Sequence, residues 1–301
     1  WLTSKDNPLT ARVTVNHLWQ MLFGQGLVRT TEDLGLQGER PLHPELLDWL
    51  AVDLVEHGWD LKRTLKLIVM SESYRQDSAV TPTLLAKDPE NKLLARGARF
   101  RLPSWMIRDA ALRTAGLFNP ALGGPPVRPY QPDGVWEELF MGRFKYEPSE
   151  GAAQYRRTLY AFWRRSIAPT FLFDSAQRRS CEVRTGRTNT PLQALTLQND
   201  LTYLEASQAI AADVIREGGD ASRIQKLLRK VLSREGDDRE AAALGKTLTE
   251  ARAYYRAHPT EAAKFLKVGQ RNPTQADQPE LAAWTLVASL ALNLDEAITH
   301  E

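Results

Sequence analysis

From Pro191 to the C-terminus, stretches rich in alanine, leucine and charged residues are cut by breakers at Gly218-Gly219, Gly236, His258-Pro259 and Asn272-Pro273. Glycine loses too much backbone freedom inside a helix and proline lacks the amide donor, so this spacing leaves room for a series of helices and little else. The predicted pieces are 191–217, 220–233, 237–257, 260–268 and 279–298, with charged residues on their outer faces. No repeat of solenoid period links them.

The first third follows the same rule. Asn7-Pro8-Leu9-Thr10 opens a helix carrying Val13, Val15, Leu18, Trp19, Leu22 and Phe23, stopped by Gly24 and Gly26. His43-Pro44-Glu45 opens a second, with Leu46, Leu47, Leu50, Leu54 and Val55 on one face and an end at Gly58. Asp60 caps a third, whose Leu61, Leu65, Ile68 and Val69 point inward, and 88–100 and 104–118 read as two more.

The centre breaks this pattern. Residues 123–134 are too rich in Pro and Gly for regular structure and read as an extended, stiff loop. Trp136 to Phe140 suits a short helix, and the alternating aromatics of 157–165 make the best strand candidate. The expected fold is mostly α: an irregular multi-helix domain with a loop-rich centre and at most a small β element. It is expected as one domain over 1–301, divisible into an N-terminal helical part (1–122), an irregular basic centre (123–190) and a C-terminal helical part (191–301).

With 301 residues, 43% of them hydrophobic, the chain can bury a sizeable core. No apolar run approaches the roughly 20 residues that cross a bilayer, so no membrane span is expected. The chain opens at Trp1 in what already reads as folded sequence, as expected of a piece of a longer polypeptide. One cysteine, Cys181, excludes an internal disulfide or a cysteine-cluster metal or haem site within the chain.

Net charge is only +2, yet residues 143–187 hold ten Lys and Arg against four Asp and Glu. At the end of that region Arg178, Arg179, Arg184 and Arg187 run into Asn189, Thr190 and Pro191, where a helix begins. Thr190 can cap it, Pro191 fits its first turn and Gln193 stands at the capping-box position. Guanidinium forks beside a helix N-terminus make an anion site suited to sulfate, phosphate or carboxylate. The same arginines could instead pair with Asp174 and Glu182 and hold an irregular core together. Trp136 joins the candidate ligand set because sugar rings stack on aromatic planes, and Phe140, Phe144, Tyr146, Tyr155, Tyr160, Phe162 and Trp163 gather around it; most of these aromatics are expected in the core.

Other chemistry is thinly supported. Positive neighbours would favour a Cys181 thiolate, but no histidine is marked as its base. The five histidines, His17 and His43 among them, show no metal-ligand spacing, so neither a metal nor a cofactor is expected in this chain. Glycosidic hydrolysis needs two carboxyl groups about 5–10 Å apart, and Asp109, Glu137, Glu138, Asp174 and Glu182 lie in or near the centre. Sequence does not pair them, so catalytic residues stay unassigned, and Asp109, after Arg108, suits a buried ion pair. The near-neutral total and the lack of a lysine-rich tail argue against nucleic acid.

Longer ordered words carry a resemblance: Asn7-Pro8-Leu9-Thr10-Ala11-Arg12-Val13 with Asn16 and Trp19; Phe23-Gly24-Gln25-Gly26-Leu27-Val28; His43-Pro44-Glu45-Leu46-Leu47-Asp48-Trp49-Leu50; Ser73-Tyr74-Arg75-Gln76; Asp88-Pro89-Glu90-Asn91; Arg108-Asp109-Ala110; Leu122-Gly123-Gly124-Pro125-Pro126-Val127. With the stretch from Arg184 to Asn199, Trp284 and Leu292-Asn293-Leu294-Asp295-Glu296, they resemble planctomycete-specific domain one, a bacterial domain family of unknown function. His17 stands where Arg is expected, and Leu34 and Leu42 where Phe and Ser are commoner.

The resemblance implies an extracytoplasmic setting, at the C-terminal part of large exported proteins that carry a companion domain and a cytochrome-c-like haem module, with a suggested role in polysaccharide breakdown. It supplies no catalytic residue. Three functions follow as expectations: binding of an anionic saccharide, sulfated glycans included, or another small anion at the arginine loop; a scaffold docking onto the companion domain and haem module; or a glycoside hydrolase using two central carboxylates.

Overall fold

The computed structural model describes residues 1–164, 167–174, 183, 186–271 and 277–300. They separate into two units with their own cores, one of residues 1–101, 183, 186 and 299–300, the other of 102–164, 167–174, 187–271 and 277–298.

In the first unit, α1 spans Thr10–Phe23, α2 Pro44–Glu56, α3 Leu61–Val69 and α4 Pro82–Lys87. The Asn7 side chain accepts the amides of Leu9 and Thr10, which sets the entry to α1, and the Asp60 carboxylate caps α3 through the Arg63 amide at 3.0 Å. Val15, Leu18, Trp19 and Phe23 of α1 pack with Leu47, Leu50 and Leu54 of α2 and Ile68 of α3, as their spacing predicts, whereas Leu61, expected inward, is exposed at the start of α3. Buried Asn16 substitutes for a strand partner, its amide bonding both the N–H and the C=O of Val28. Gly24 ends α1 at φ 76, and a Cβ there would lie 2.6 Å from the Phe100 ring, so both geometry and space demand glycine.

The helix expected over 88–100 does not form. The Asp88 carboxylate accepts the amides of Lys92 at 2.8 Å and Leu93 at 2.7 Å, and Arg96 donates to the carbonyls of Asp88 and Pro89. Asn91 and Leu94 take φ values of 51 and 54, left-handed positions that no α-helix admits. Side chains that satisfy the backbone this way compete with the helical ladder. The segment ends in β1 (Phe100–Arg101), antiparallel to β2 (Thr299–His300), with Phe100 opposite His300.

The second unit contains α5 (Ser104–Thr114), α6 (Val135–Leu139), α7 (Pro191–Asn199), α8 (Leu201–Val214), α9 (Asp220–Leu232), α10 (Asp238–Ala257), α11 (Pro259–Leu266), α12 (Gln278–Leu292) and α13 (Asp295–Ile298). α12 packs on α8, α10 and α11. Its Ala282, Ala283, Ala288 and Ala291 expose no surface, so neighbouring helices approach closely around the fully buried Trp284. An apolar helix of this kind is stable only inside a bundle, where each large buried side chain contributes about 1.5–3 kcal/mol.

The expected helix 191–217 is two helices. Asp200 turns to an extended ψ of 134 and caps α8 by accepting the Thr202 amide, which makes an elbow between α7 and α8. The strand expected over 157–165 is a single 3-10 turn at Thr158–Tyr160 followed by isolated bridges from Ala161 to Val127 and from Arg164 to Ile167. The Thr158 amide, which a strand neighbour would need, donates instead to Asp109 at 2.9 Å. Helix dominates, and among the described residues the regular strands are β1 and β2 alone, as expected of a mostly α fold.

Candidate functional site

At the start of α7 the sequence sets its own geometry. The Thr190 hydroxyl accepts the Gln193 amide at 3.3 Å, the Gln193 side-chain oxygen accepts the Thr190 amide at 3.4 Å, and Pro191 has no amide to offer. Leu192 is then the position of the first turn whose N–H neither the box nor the proline accounts for. The capping box that marks the helix also uses the donors an anion would need.

Asp174 completes this arrangement. Its carboxylate accepts the Thr188 amide at 2.7 Å, the Thr188 hydroxyl at 2.9 and 3.0 Å, and the Gln193 side-chain amide at 3.1 Å. An internal carboxylate therefore lies beside the helix entry, bonded to Thr188 ahead of it and to Gln193 in its first turn. Of the expected ligand set, Arg187 is half-buried, Asn189 and Thr190 are exposed and Gln193 is buried. Arg178, Arg179 and Arg184, with Cys181 and Glu182, lie outside the described residues.

Other arginines of the centre hold loops in shape. Arg156 donates to the carbonyls of Pro125 at 3.1 Å, Ala121 at 3.2 Å and Gly123, and its guanidinium lies 4.0 Å from the Tyr160 ring centroid. This clamps the Pro/Gly loop that sequence left without regular structure. Arg108, fully buried on α5, donates to the carbonyls of Gln154 at 2.9 Å and Arg156 at 3.0 Å and to the Thr158 hydroxyl at 3.1 Å. Asp109 accepts the Thr158 hydroxyl at 2.7 Å and stands 3.6 Å from the Arg108 guanidinium, so the pair builds the 154–158 segment. Burial depresses the Arg108 pKa and Asp109 opposes that shift.

Trp136 has no exposed surface. Its ring packs against Phe140, Phe144, Tyr146 and Phe162 with centroids 5.1 to 5.7 Å away, and its indole N–H donates to Gln131 at 2.5 Å. The expectation that it presents a face to a sugar gives way to a core role, because a fully enclosed ring has no face to offer. Burial pushes the neighbouring Tyr146 hydroxyl up to about 12.

A cleft of about 310 Å³ opens at the elbow between α7 and α8, walled by Tyr130, Gln131 and Pro132 on one side and Leu195, Thr196 and Leu201 on the other, with Thr170, Asn199 and Asp200 completing it. Leu195 and Leu201 of the cleft lining are 55% and 38% exposed, and Leu192, three residues before Leu195 on α7, is 75% exposed. The stretch 188–199 contains no charged residue. Sequence reasoning passed over this elbow because it looked for charge, and the informative signal is its lack on an exposed helix. It also passed over Glu205, whose position among Tyr203, Ala206 and Ala209 on the buried side of α8 is the one clue to an enclosed acid.

Among the described residues no three His, Cys, Asp or Glu side chains gather to hold a metal ion, and no helix is long and apolar enough to cross a membrane. A family model described as PSD1, protein of unknown function (DUF1553), matches residues 1–248. No curated protein and no solved structure matches the chain.

Proposed function

Taking as its premise that the chain belongs to the PSD1 (DUF1553) family, we propose that this protein is a docking module whose α7–α8 elbow receives an uncharged, apolar surface of a companion domain in the natural polypeptide. The observation that carries this reading is a helix without charge whose Leu195 is exposed on the wall of a cleft shared with Leu201, with Leu192 exposed one turn before it. Interface centres are depleted of charged residues, and clustered exposed apolar side chains mark contact surfaces. The cleft is at the small end of the ~300–1,000 Å³ of ligand pockets, which suits one or two anchoring side chains better than an oligosaccharide.

The anionic-saccharide reading is less favoured, since Asp174 and the capping box take up the α7 entry. Two carboxylates in glycosidase roles are less favoured still, because Asp109 is committed to Thr158 and Arg108.

A photo-crosslinking side chain at Leu195 in the natural polypeptide tests the proposal. The expected result is a crosslink mapped to the companion domain, lost when Leu192 and Leu201 are both changed to Asp. No crosslink beyond the chain itself, together with saturable and salt-sensitive binding of a sulfated saccharide, overturns docking in favour of the anion site.

A further inference from the structure

Glu205 of α8 has no exposed surface. Its Oε1 accepts the Gln270 amide at 2.6 Å and the Tyr155 hydroxyl at 3.2 Å, whereas Oε2 and the neighbouring Tyr130 hydroxyl each lack a well-formed hydrogen bond. The turn Val268–Arg271 is pressed onto this carboxyl: Gly269 has φ 59, and a Cβ on it would lie 2.0 Å from Oε1. The Gln270 side chain fastens the same turn to the centre by accepting the Gly151 amide at 2.6 Å and donating to the Ser149 carbonyl at 2.7 Å. Glu205 thus joins α8, Tyr130 of the cleft wall, Tyr155 and the turn at one buried point.

None of the described ion pairs involves this carboxyl. Tyr130 and Tyr155 face it as neutral phenols, and Arg271 of the turn contributes its backbone amide, its charge acting on Tyr155. Arg108 of α5 interacts with Asp109, Tyr203 and Asp200. On α9, Lys226 and Lys230 are committed to Asp213; Glu280, the one charged residue of α12, is committed to Arg252; α7 and residues 272–276 contain no charge. A buried carboxylate without a cation is costly, and the cheaper state is the neutral acid, whose Oε2 proton can point at the Tyr130 oxygen and satisfy both orphaned atoms.

We propose that Glu205 is a proton-operated latch: as the neutral acid it holds the Val268–Arg271 turn and the Tyr130 wall of the cleft against α8, and on losing its Oε2 proton to water it releases them. With Gly269 in contact there is no room to hydrate the charge in place, so ionisation is met by movement of the turn. Burial raises the Glu205 pKa against the opposing hydrogen bonds from Gln270, Tyr130 and Tyr155. A raised folded value places the contribution to stability fully below the unfolded pKa, about 4.3 for Glu, and removes it as pH rises through the folded value. The latch does not depend on the docking reading, because its test reads the turn and no partner.

The test is hydrogen exchange at the Gln270 amide of the whole chain, corrected for intrinsic rate, between about pH 5 and about pH 8. Protection is expected to fall about tenfold or more in the wild type and to stay level in Glu205→Gln, which mimics the neutral acid. A level wild-type profile, or an equal fall in the variant, overturns the latch. Should the variant fail to fold, the wild type decides alone: a loss confined to the turn while the Leu248 amide of α10 keeps its protection supports it, and a uniform loss or none overturns it.

Discussion

Arg108 and Glu205 are both enclosed in the second unit, and their surroundings are built on opposite terms. The guanidinium has two carbonyls, a hydroxyl, the Asp109 carboxylate and, 4.8 Å from its carbon, the Phe171 ring, leaving Nε as its one orphaned nitrogen. The carboxyl of Glu205 has its two well-formed hydrogen bonds on one oxygen and takes part in no described ion pair. Arginine cannot shed its charge, so the chain must supply acceptors, whereas a glutamic acid can become neutral and tolerate a half-filled shell. The first is a fixed structural cation; the second is free to titrate.

The largest effect expected is for Arg108→Ala. It strips the 154–158 segment of its donors and takes the cation from beside the half-buried Asp109, a loss of about 3–5 kcal/mol, readable as a lower denaturant midpoint. A loss under about 1 kcal/mol would break the contrast, showing that the loop does not need its cation.

Gly269→Ala sharpens the comparison from the acid's side. Its Cβ would collide with Oε1 and adopt a positive φ, for a cost of about 2–4 kcal/mol. Adding Glu205→Ala removes the collision, so the double variant should lose less than the sum of the singles. Additive losses would mean that the turn, and not the carboxyl, sets the penalty.

Two conservative changes compare the shells directly. Thr158→Val deletes the hydroxyl that links Arg108 to Asp109 and should cost about 1.5–3 kcal/mol, as for hydrogen bonds to charged groups. Tyr155→Phe deletes one longer bond to a neutral acid and should cost about 0.5–1.5 kcal/mol. Urea titrations at about pH 4, below the ordinary Glu value from which Glu205 is raised, check the order, and equal losses would erase the distinction.

The capping residues were readable in advance. Thr190 and Gln193 form the predicted box with Pro191 in the first turn, Asp60 caps α3, the breakers at 218–219 and 236 fall between observed helices, and His258-Pro259 ends α10 and opens α11. These devices act over three or four residues, within the reach of a local pattern. The misreadings share another cause. The stretch 88–100 was lost to Asp88 and Arg96 bonding the backbone, the strand at 157–165 to Asp109, and Trp136 to an aromatic cluster assembled from four other positions. The same positive charge that suggested an anion site is in part spent on loop carbonyls, as Arg156 shows.

Sequence alone determined the capped helix starts at Asp60 and Thr190, the breaks at 218–219 and 236, and that the centre could not be regular, because capping, breaking and periodicity are properties of neighbouring residues. Only the tertiary structure decided which charges are enclosed and how they are satisfied. Arg108 meets Gln154 across 46 positions and Glu205 meets Gln270 across 65. Whether a buried charge is neutralised, paired or left to titrate depends on such remote partners and on the exclusion of water around them, and neither is present until the chain has folded.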